Sequence, residues 1–113
     1  MYESVEAFYL ELEALKQELF ADARFEIIYS RFNRASVRMH IDASFFIDTY
    51  CNVNNGRFDC SLIRSGKRVF GYDNLQEWHY HPEHDPASHI YCDKPTLRQI
   101  FEEIATIIRA SKS

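Results

Sequence analysis

Alternating apolar and polar side chains in the middle of the chain, separated by turn sequences, constrain the fold more than any other feature. Residues 36–41 alternate strictly between the two kinds of side chain, which is typical of a strand with one buried face. Asn55-Gly56 predicts a two-residue hairpin turn, because a type I′ turn needs positive φ at both central positions. Ser65-Gly66 predicts a second tight turn. We therefore predict a five-stranded, mostly antiparallel meander sheet with strands at residues 25–29, 36–41, 45–53, 57–64 and 67–72.

The turns also predict how neighbouring strands are aligned. The first turn places Cys51 opposite Cys60, where a disulfide is geometrically conceivable, and the second places Leu62 opposite Val69. In this register one face of the sheet is apolar, and a slip of one residue would expose all of it. The predicted apolar face carries Val37, Met39, Ile47, Leu62 and Val69.

The opposite face of the predicted sheet is polar and aromatic. Arg38 pairs there with Asp48, which lies across from Ile63, and Ile63 lies across from Arg68. Neighbouring rows of this face carry Tyr50, Ser61 and Phe70, then Asn52, Asp59 and Tyr72. Such a face is either a solvated surface with cross-strand ion pairs or a binding surface.

Helices are predicted at both ends of the chain. Residues 4–22 carry apolar side chains at helical spacing behind Ser4, a suitable N-cap. A second helix is predicted to begin at Pro95-Thr96, and its apolar stripe comprises Leu97, Ile100, Phe101, Ile104, Ile107 and Ile108. We therefore predict an α+β fold in a single domain, residues 1–113, with both helices packed on the apolar face.

Composition and charge exclude several classes of protein. A formal net charge of −4 argues against a protein that coats DNA. Three cysteines, an odd number without a C-x-x-C motif, indicate a reducing compartment. The sequence shows neither a signal peptide nor an apolar run of membrane-spanning length. We expect a soluble cytoplasmic protein with no membrane association.

A histidine-rich segment, residues 70–91, is the strongest candidate for chemistry. It contains four of the five histidines, His79, His81, His84 and His89. On an extended chain His79 and His81 point to the same side, and the two prolines that follow are expected to keep the segment out of regular structure. Three interpretations compete: surface histidines without a function, a zinc or nickel site, and acid–base catalysis.

Acid–base catalysis by histidines suits RNA cleavage. The reaction needs a base for the 2′-hydroxyl, an acid for the leaving oxygen and a cation for the charge that develops on phosphorus. Arg31, Arg38 or Arg68 would supply the cation. This interpretation requires no metal ion or other cofactor.

The order of motifs resembles the TumE-type toxin family of bacterial and archaeal toxin–antitoxin pairs. Hairpin strands end in F-G-Y-D-N and are followed by W-H-Y-H-P-E, S-H-I-Y and the helical P-T-L-R-Q-I-F-E-E-I. Tyr72-Asp73-Asn74 matches the aromatic-Asp-Asn step of the family, His79 and His81 match its histidine-rich loop, and His89 matches the first of its closing histidines. The resemblance covers about residues 36–108. Tyr91 stands where the family has its second closing histidine.

The resemblance implies a small toxin, with a suggested ribonuclease activity, that is neutralised by a helix-turn-helix antitoxin. Combined with the residue-level argument, it predicts RNA cleavage in which His79, His81 and His89 are catalytic, and Asp48 orients an arginine. The predicted substrate-binding residues are Arg38, Arg68, Tyr72, Asp73 and Trp78. Two alternatives remain open: a non-catalytic protein-binding module that forms a homodimer through its aromatic sheet face, and a small histidine metal-binding domain.

Overall fold

Seven antiparallel strands form one meander sheet in the computed structural model of the protein, which describes residues 1–112. The strands follow one another across the sheet in chain order. They are β1 (Arg24–Ser30), β2 (Arg34–His40), β3 (Phe45–Asn52), β4 (Phe58–Arg64), β5 (Lys67–Asp73), β6 (His79–His81) and β7 (Ile90–Tyr91). The predicted α+β class and antiparallel meander are confirmed, but the predicted number of strands, five, is wrong.

Two helices of 15 residues complete the fold, α1 (Val5–Leu19) and α2 (Leu97–Ser111). Both begin at the predicted capping residues. The Ser4 Oγ accepts a hydrogen bond from the Ala7 N–H, and the Thr96 Oγ1 accepts one from the Gln99 N–H. These side chains satisfy N–H groups that have no partner inside the helix. No helix within residues 1–112 is long and apolar enough to cross a membrane.

The core lies between both helices and one face of the sheet, which we call the helix-covered face. Apolar residues of α1 and α2 share a single buried cluster with alternate residues of β2, β3 and β4. Its sheet residues include Val37, Met39, Ile47, Leu62 and, from β5, Phe70 and Tyr72. The other face, called the polar face below, carries Arg38 and Asp48 among others. The predicted packing of both helices on one face is therefore confirmed.

The turn between β3 and β4 is longer than predicted, and this changes the register of the pair. Cys51 lies opposite Phe58, and Cys60 lies opposite Thr49 rather than opposite Cys51. The Asn52 side chain accepts hydrogen bonds from the N–H groups of Asn54 and Asn55, which lengthens the turn. The register therefore slips by two residues, and an even slip keeps every side chain on its predicted face. All three cysteines are free thiols.

A β-bulge between β4 and β5 changes which face of the sheet the β5 side chains occupy. The predicted pair Ile63–Arg68 is observed next to the turn, but the next pair is Leu62–Phe70, so Val69 is the extra residue. An inserted residue reverses the alternation of faces beyond it. Phe70 and Tyr72 therefore enter the core, although the sequence placed them on the polar face. Gly71 and Asp73 take the polar face instead.

The histidine-rich segment is more regular than predicted. Residues 79–81 pair with β5 and form β6, and residues 90–91 pair with β6 and form β7. The two prolines of the segment, Pro82 and Pro86, lie in the connection between these strands. The segment adds two strands to the sheet and is not an irregular loop.

Candidate functional site

Three histidines and one aspartate meet on the polar face, where β5 and β6 pair. His79 lies opposite Asp73 and His81 lies opposite Gly71, and both imidazoles point to the same side, as the spacing predicts. Both rings are almost fully buried, with 4% of His79 and 2% of His81 exposed. The exposed His89 completes a group that we call the histidine–aspartate cluster: Asp73, His79, His81 and His89.

The three rings of the cluster are in mutual contact. His79 and His89 are stacked with 4.7 Å between ring centroids. His81 meets His79 at 5.0 Å and His89 at 4.7 Å, in both cases edge to face. One ligand atom from each ring lies within 4.8 Å of the others. Because His89 is the exposed member, it forms the mouth of the cluster towards solvent.

Backbone carbonyls and one carboxylate fix the two buried rings. The Nδ1 atom of His79 is 2.9 Å from the Glu77 carbonyl oxygen, and the Nδ1 atom of His81 is 3.1 Å from the Pro86 carbonyl oxygen. Both Nε2 atoms approach the same oxygen, Asp73 Oδ2, at 3.2 Å from His79 and 3.1 Å from His81. Asp73 is therefore the centre of the cluster.

The second carboxylate oxygen of Asp73, Oδ1, has two further partners. It accepts a hydrogen bond from the Leu75 N–H and lies 3.7 Å from Nη1 of Arg57. Burial by itself raises the pKa of Asp73, but the Leu75 N–H together with His81 and His79 more than offsets this, so the pKa is lowered overall. Asp73 is therefore a carboxylate at neutral pH.

The Asp-Asn step of the sequence ties the cluster to the β3–β4 turn. Next to Asp73, the Asn74 side chain accepts a hydrogen bond from the Phe58 N–H and donates one to the Gly56 carbonyl. These contacts hold the start of β4 beside the cluster. The Asp-Asn step therefore has a physical reason: Asp73 contacts the histidines, and Asn74 binds the backbone that leads into β4.

Sequence reasoning missed two charged residues that border the cluster, Arg57 and Asp59. Nη1 of Arg57 is buried and has no hydrogen-bond partner within residues 1–112. Asp59 lies opposite Asp73, and burial followed by the nearby charge of Asp73 raises its pKa. The predicted register offered no signal for this neighbourhood, because it placed Asp59 in a row with Tyr72 and gave Asp73 no partner.

Arg68, a predicted phosphate-binding residue, does lie near the cluster. Its Nη2 atom donates to the Pro86 carbonyl at 3.4 Å, the same carbonyl that accepts from His81. Arg68 is exposed, so its guanidinium remains open to an anionic ligand. His84, in contrast, is exposed in the β6–β7 connection and is not part of the cluster.

Arg38 and Asp48 lie on the polar face but outside the cluster. Nε of Arg38 is 2.8 Å from Oδ1 of Asp48, and Nη2 is 3.1 Å from Oδ2, so the predicted pair is present and bidentate. Asp48 pairs with Ser61 and not, as predicted, with Ile63. Three strand spacings separate Asp48 from His81, which is ~14 Å. The predicted pairing of Asp48 with an arginine is therefore observed away from the histidines.

Tyr72 and Trp78 lie on the helix-covered side of the sheet. Tyr72 is buried, and its hydroxyl donates to a carboxylate oxygen of Glu103 in α2 at 2.6 Å. Trp78 is half-buried against the core, with its ring 6.0 Å from that of Phe58. The structure thus places these two predicted substrate-binding residues away from the polar face that carries the cluster.

A second group of side chains on the polar face lies near β1, and we call it the tyrosine–arginine patch: Tyr29, Arg31, Arg34 and Tyr50. The guanidinium carbons of Arg31 and Arg34 lie 5.9 and 6.0 Å from the centroid of the Tyr29 ring. Burial and then the neighbouring Tyr50 raise the pKa of Tyr29, and both tyrosines pair with Ser36 across the sheet. Within residues 1–112, neither arginine forms an ion pair.

One cross-strand row joins the patch to the cluster. Successive pairings across the polar face run through Tyr29, Ser36, Tyr50, Asp59, Asp73, His79 and Tyr91. The row spans all seven strands, with about 4.8 Å between neighbours. A ligand that lies across the strands would therefore reach both the patch and the cluster.

Comparisons of this chain with protein-family models, with curated proteins and with solved structures found no match. The basis for a function is therefore the sequence pattern and the geometry of the polar face.

Proposed function

We propose that this chain is the toxin of a toxin–antitoxin pair and that it cleaves RNA at the histidine–aspartate cluster. The observation that carries the proposal is the cross-strand row that leads from the tyrosine–arginine patch to the cluster. Exposed arginines next to aromatic rings suit single-stranded RNA, because rings stack on bases and guanidinium groups bind phosphates. The resemblance of the motifs to TumE-type toxins supports the same activity.

The side chains near the cluster divide into those that RNA can reach and those that it cannot. His89 and Arg68 are exposed and would meet a phosphodiester first. His79 and His81 are buried behind His89, which is why direct acid–base contact with a polymer falls to His89 alone. Under this proposal Asp73 and the rings of His79 and His81 position His89, which contacts the substrate.

The proposal includes a compartment and a protein partner. A ribonuclease toxin acts in the cytoplasm, where its RNA is, and a helix-turn-helix antitoxin restrains it. The net charge of −4 is unfavourable for RNA binding. The tyrosine–arginine patch supports the proposal nonetheless, because it places two arginines beside Tyr29 at one end of the row.

The test is inducible expression in bacteria, followed by RNA cleavage with the purified protein. We expect the wild type to stop growth and degrade RNA, and His89→Ala to lose at least ~100-fold in cleavage rate, the usual contribution of a catalytic proton transfer. His84→Ala is the matched control, because it removes an exposed histidine outside the cluster. Wild-type protein that leaves growth and RNA intact would contradict the proposal.

A second candidate function, protein binding by a homodimer, is favoured by an apolar groove between α1 and β1. The groove has a volume of about 480 Å³ and is lined by Leu10, Phe25 and Ile27 among others. Leu10 of α1 is 73% exposed and Ile27 of the edge strand β1 is 57% exposed. Exposed apolar side chains beside an open strand edge are typical of a protein-binding surface. Light scattering decides this candidate: a dimer that Ile27→Lys converts to a monomer supports it, and a monomeric wild type rejects it.

A further inference from the structure

We propose that the histidine–aspartate cluster is a binding site for one divalent transition-metal ion of the zinc class. The ligands are the Nε2 atoms of His79 and His81, a ring nitrogen of His89 and Oδ2 of Asp73. The proposal depends on the contacts around these atoms. A bound metal ion would occupy one ring nitrogen of His89, so that nitrogen could not also carry out the acid–base step proposed for RNA cleavage.

The hydrogen-bond partners assign the tautomer of both buried rings. A backbone carbonyl can only accept a hydrogen bond, and the Nδ1 atoms of His79 and His81 lie 2.9 and 3.1 Å from such carbonyls. Nδ1 therefore carries the proton in each ring. A neutral ring in this state has a lone pair on Nε2 and no proton there.

Both Nε2 atoms lie close to an atom that is itself an acceptor, and His81 meets it with hydrogen-bond geometry. The Nε2 atoms lie 3.2 and 3.1 Å from Oδ2 of Asp73, and a carboxylate oxygen can only accept. Three acceptor atoms without a proton or a cation between them repel one another. Something positively charged is required at their meeting point.

A metal ion at the meeting point satisfies these three atoms at once. The rings of His79 and His81 are in contact, with centroids 5.0 Å apart, and both side chains are at most 5% exposed. Burying polar atoms without a partner is costly, and a metal ion supplies that partner.

The surroundings have the pattern of a metal site beyond its ligands. Metal-binding histidines almost always donate the other ring N–H to a carbonyl or carboxylate, which fixes the ring. The carbonyls of Glu77 and Pro86 are the acceptors for Nδ1 of His79 and of His81. His89 brings a third nitrogen within 4.8 Å of the other two, and its exposure leaves the metal accessible to water or to a ligand.

The donor set selects the class of metal. Three imidazole nitrogens and one carboxylate oxygen suit zinc, nickel, iron or copper, whereas magnesium and calcium prefer oxygen ligands throughout. Zn²⁺ is bound in proteins by histidine nitrogens and by Asp or Glu oxygens, with tetrahedral geometry preferred. The donors therefore favour Zn²⁺ over Mg²⁺.

The test uses the full chain without a histidine tag, stripped with a chelator and titrated calorimetrically with Zn²⁺. We expect one Zn²⁺ per chain and no measurable heat with Mg²⁺. His89→Ala should weaken Zn²⁺ binding at least 10-fold, while His84→Ala should leave it unchanged. With Co²⁺ in place of Zn²⁺, a visible absorption band should appear for the wild type and be lost or shifted in His89→Ala.

Two results would overturn the proposal. One is the absence of saturable Zn²⁺ binding to a wild-type protein that circular dichroism shows to be folded. The other is equal Zn²⁺ affinity for the His89→Ala and His84→Ala variants, which would place the ion elsewhere. No RNA enters the experiment, so its failure and the failure of the ribonuclease proposal can be told apart.

Discussion

At the scale of single residues, Gly71 decides how closely β4 and β5 approach beside the cluster. A Cβ atom at this position would lie 2.8 Å from the Cys60 carbonyl oxygen and 3.0 Å from the Ser61 hydroxyl. Contacts this short force the backbone to move, since the nearest atom belongs to the main chain. Gly71 also lies opposite His81, so the same movement would reach the cluster.

Gly71→Ala should therefore destabilise the protein by about 1–3 kcal/mol, the usual cost of overpacking a dense interior. The measurement is urea unfolding followed by circular dichroism, with the midpoint compared at equal slope. An unchanged midpoint would show that the strands separate without cost, and the packing argument would then be wrong.

The cysteines show how a residue-level prediction depends on register. Cys60 lies opposite Thr49, whose hydroxyl donates to its sulfur at 3.8 Å. Burial raises the pKa of the Cys60 thiol to about 12. The conceivable disulfide between Cys51 and Cys60 is absent because a two-residue difference in the turn separates them along the sheet.

At the scale of elements, α2 was predictable because local signals agree with one another. Its apolar stripe, its N-cap and the preceding proline all point to the same boundaries. The observed helix, Leu97–Ser111, follows the predicted cap Thr96 directly. Its apolar side includes Ile100, Phe101 and Ile104, which are fully buried.

Thr96→Ala should lower the free energy of unfolding by ~1 kcal/mol, because the Gln99 N–H loses its acceptor. Thr106→Ala is the control within the same helix. The Thr106 hydroxyl bonds to the Glu102 carbonyl, and alanine has the higher helix propensity, so this change should cost less or nothing. Thermal unfolding of both variants separates the two cases; equal losses would refute the capping role.

The bulge at Val69 was not predictable from the alternation of residues 67–72. The turn at Ser65-Gly66 has the expected positive φ angles, 52° and 81°, and the first pairs after it are as predicted. Beyond Ile63 the alternative without a bulge would place Phe70 and Tyr72 on the polar face. Burial of two aromatic rings, each worth roughly 1.5–3 kcal/mol, outweighs the loss of one ladder position.

At the scale of the whole molecule, an ion pair joins the end of α2 to the β2–β3 connection. Nζ of Lys112 lies 2.7 Å from Oδ2 of Asp42. The hydrogen bond from Lys112 is the largest influence on Asp42 and, with the N–H groups of Ser44 and Phe45, lowers its pKa below the usual value. Because the pKa of Asp42 is lowered in the folded state, the ion pair contributes to stability above pH ~4, and this contribution is lost as the pH falls.

Lys112→Ala should therefore destabilise the protein at pH 7 by less than ~1 kcal/mol, as expected for a half-exposed pair. At pH 2 the difference from the wild type should disappear, because Asp42 is then protonated in both proteins. Urea midpoints at the two pH values provide the measurement. A difference that persists at pH 2 would mean that Lys112 acts through packing instead of charge.

The sequence by itself determined the α+β class, both helices with their N-caps, the first five strands and the shared side of His79 and His81. These features follow from local periodicity, capping and turn chemistry, which act over a few residues. Only the tertiary structure decided that Val69 is a bulge and that residues 79–81 and 90–91 join the sheet. Those choices depend on which alternative buries Phe70 and Tyr72 beneath α2, a comparison between distant parts of the chain. The same choices turn Asp73 towards the histidines, so the candidate site is a consequence of how the core is packed.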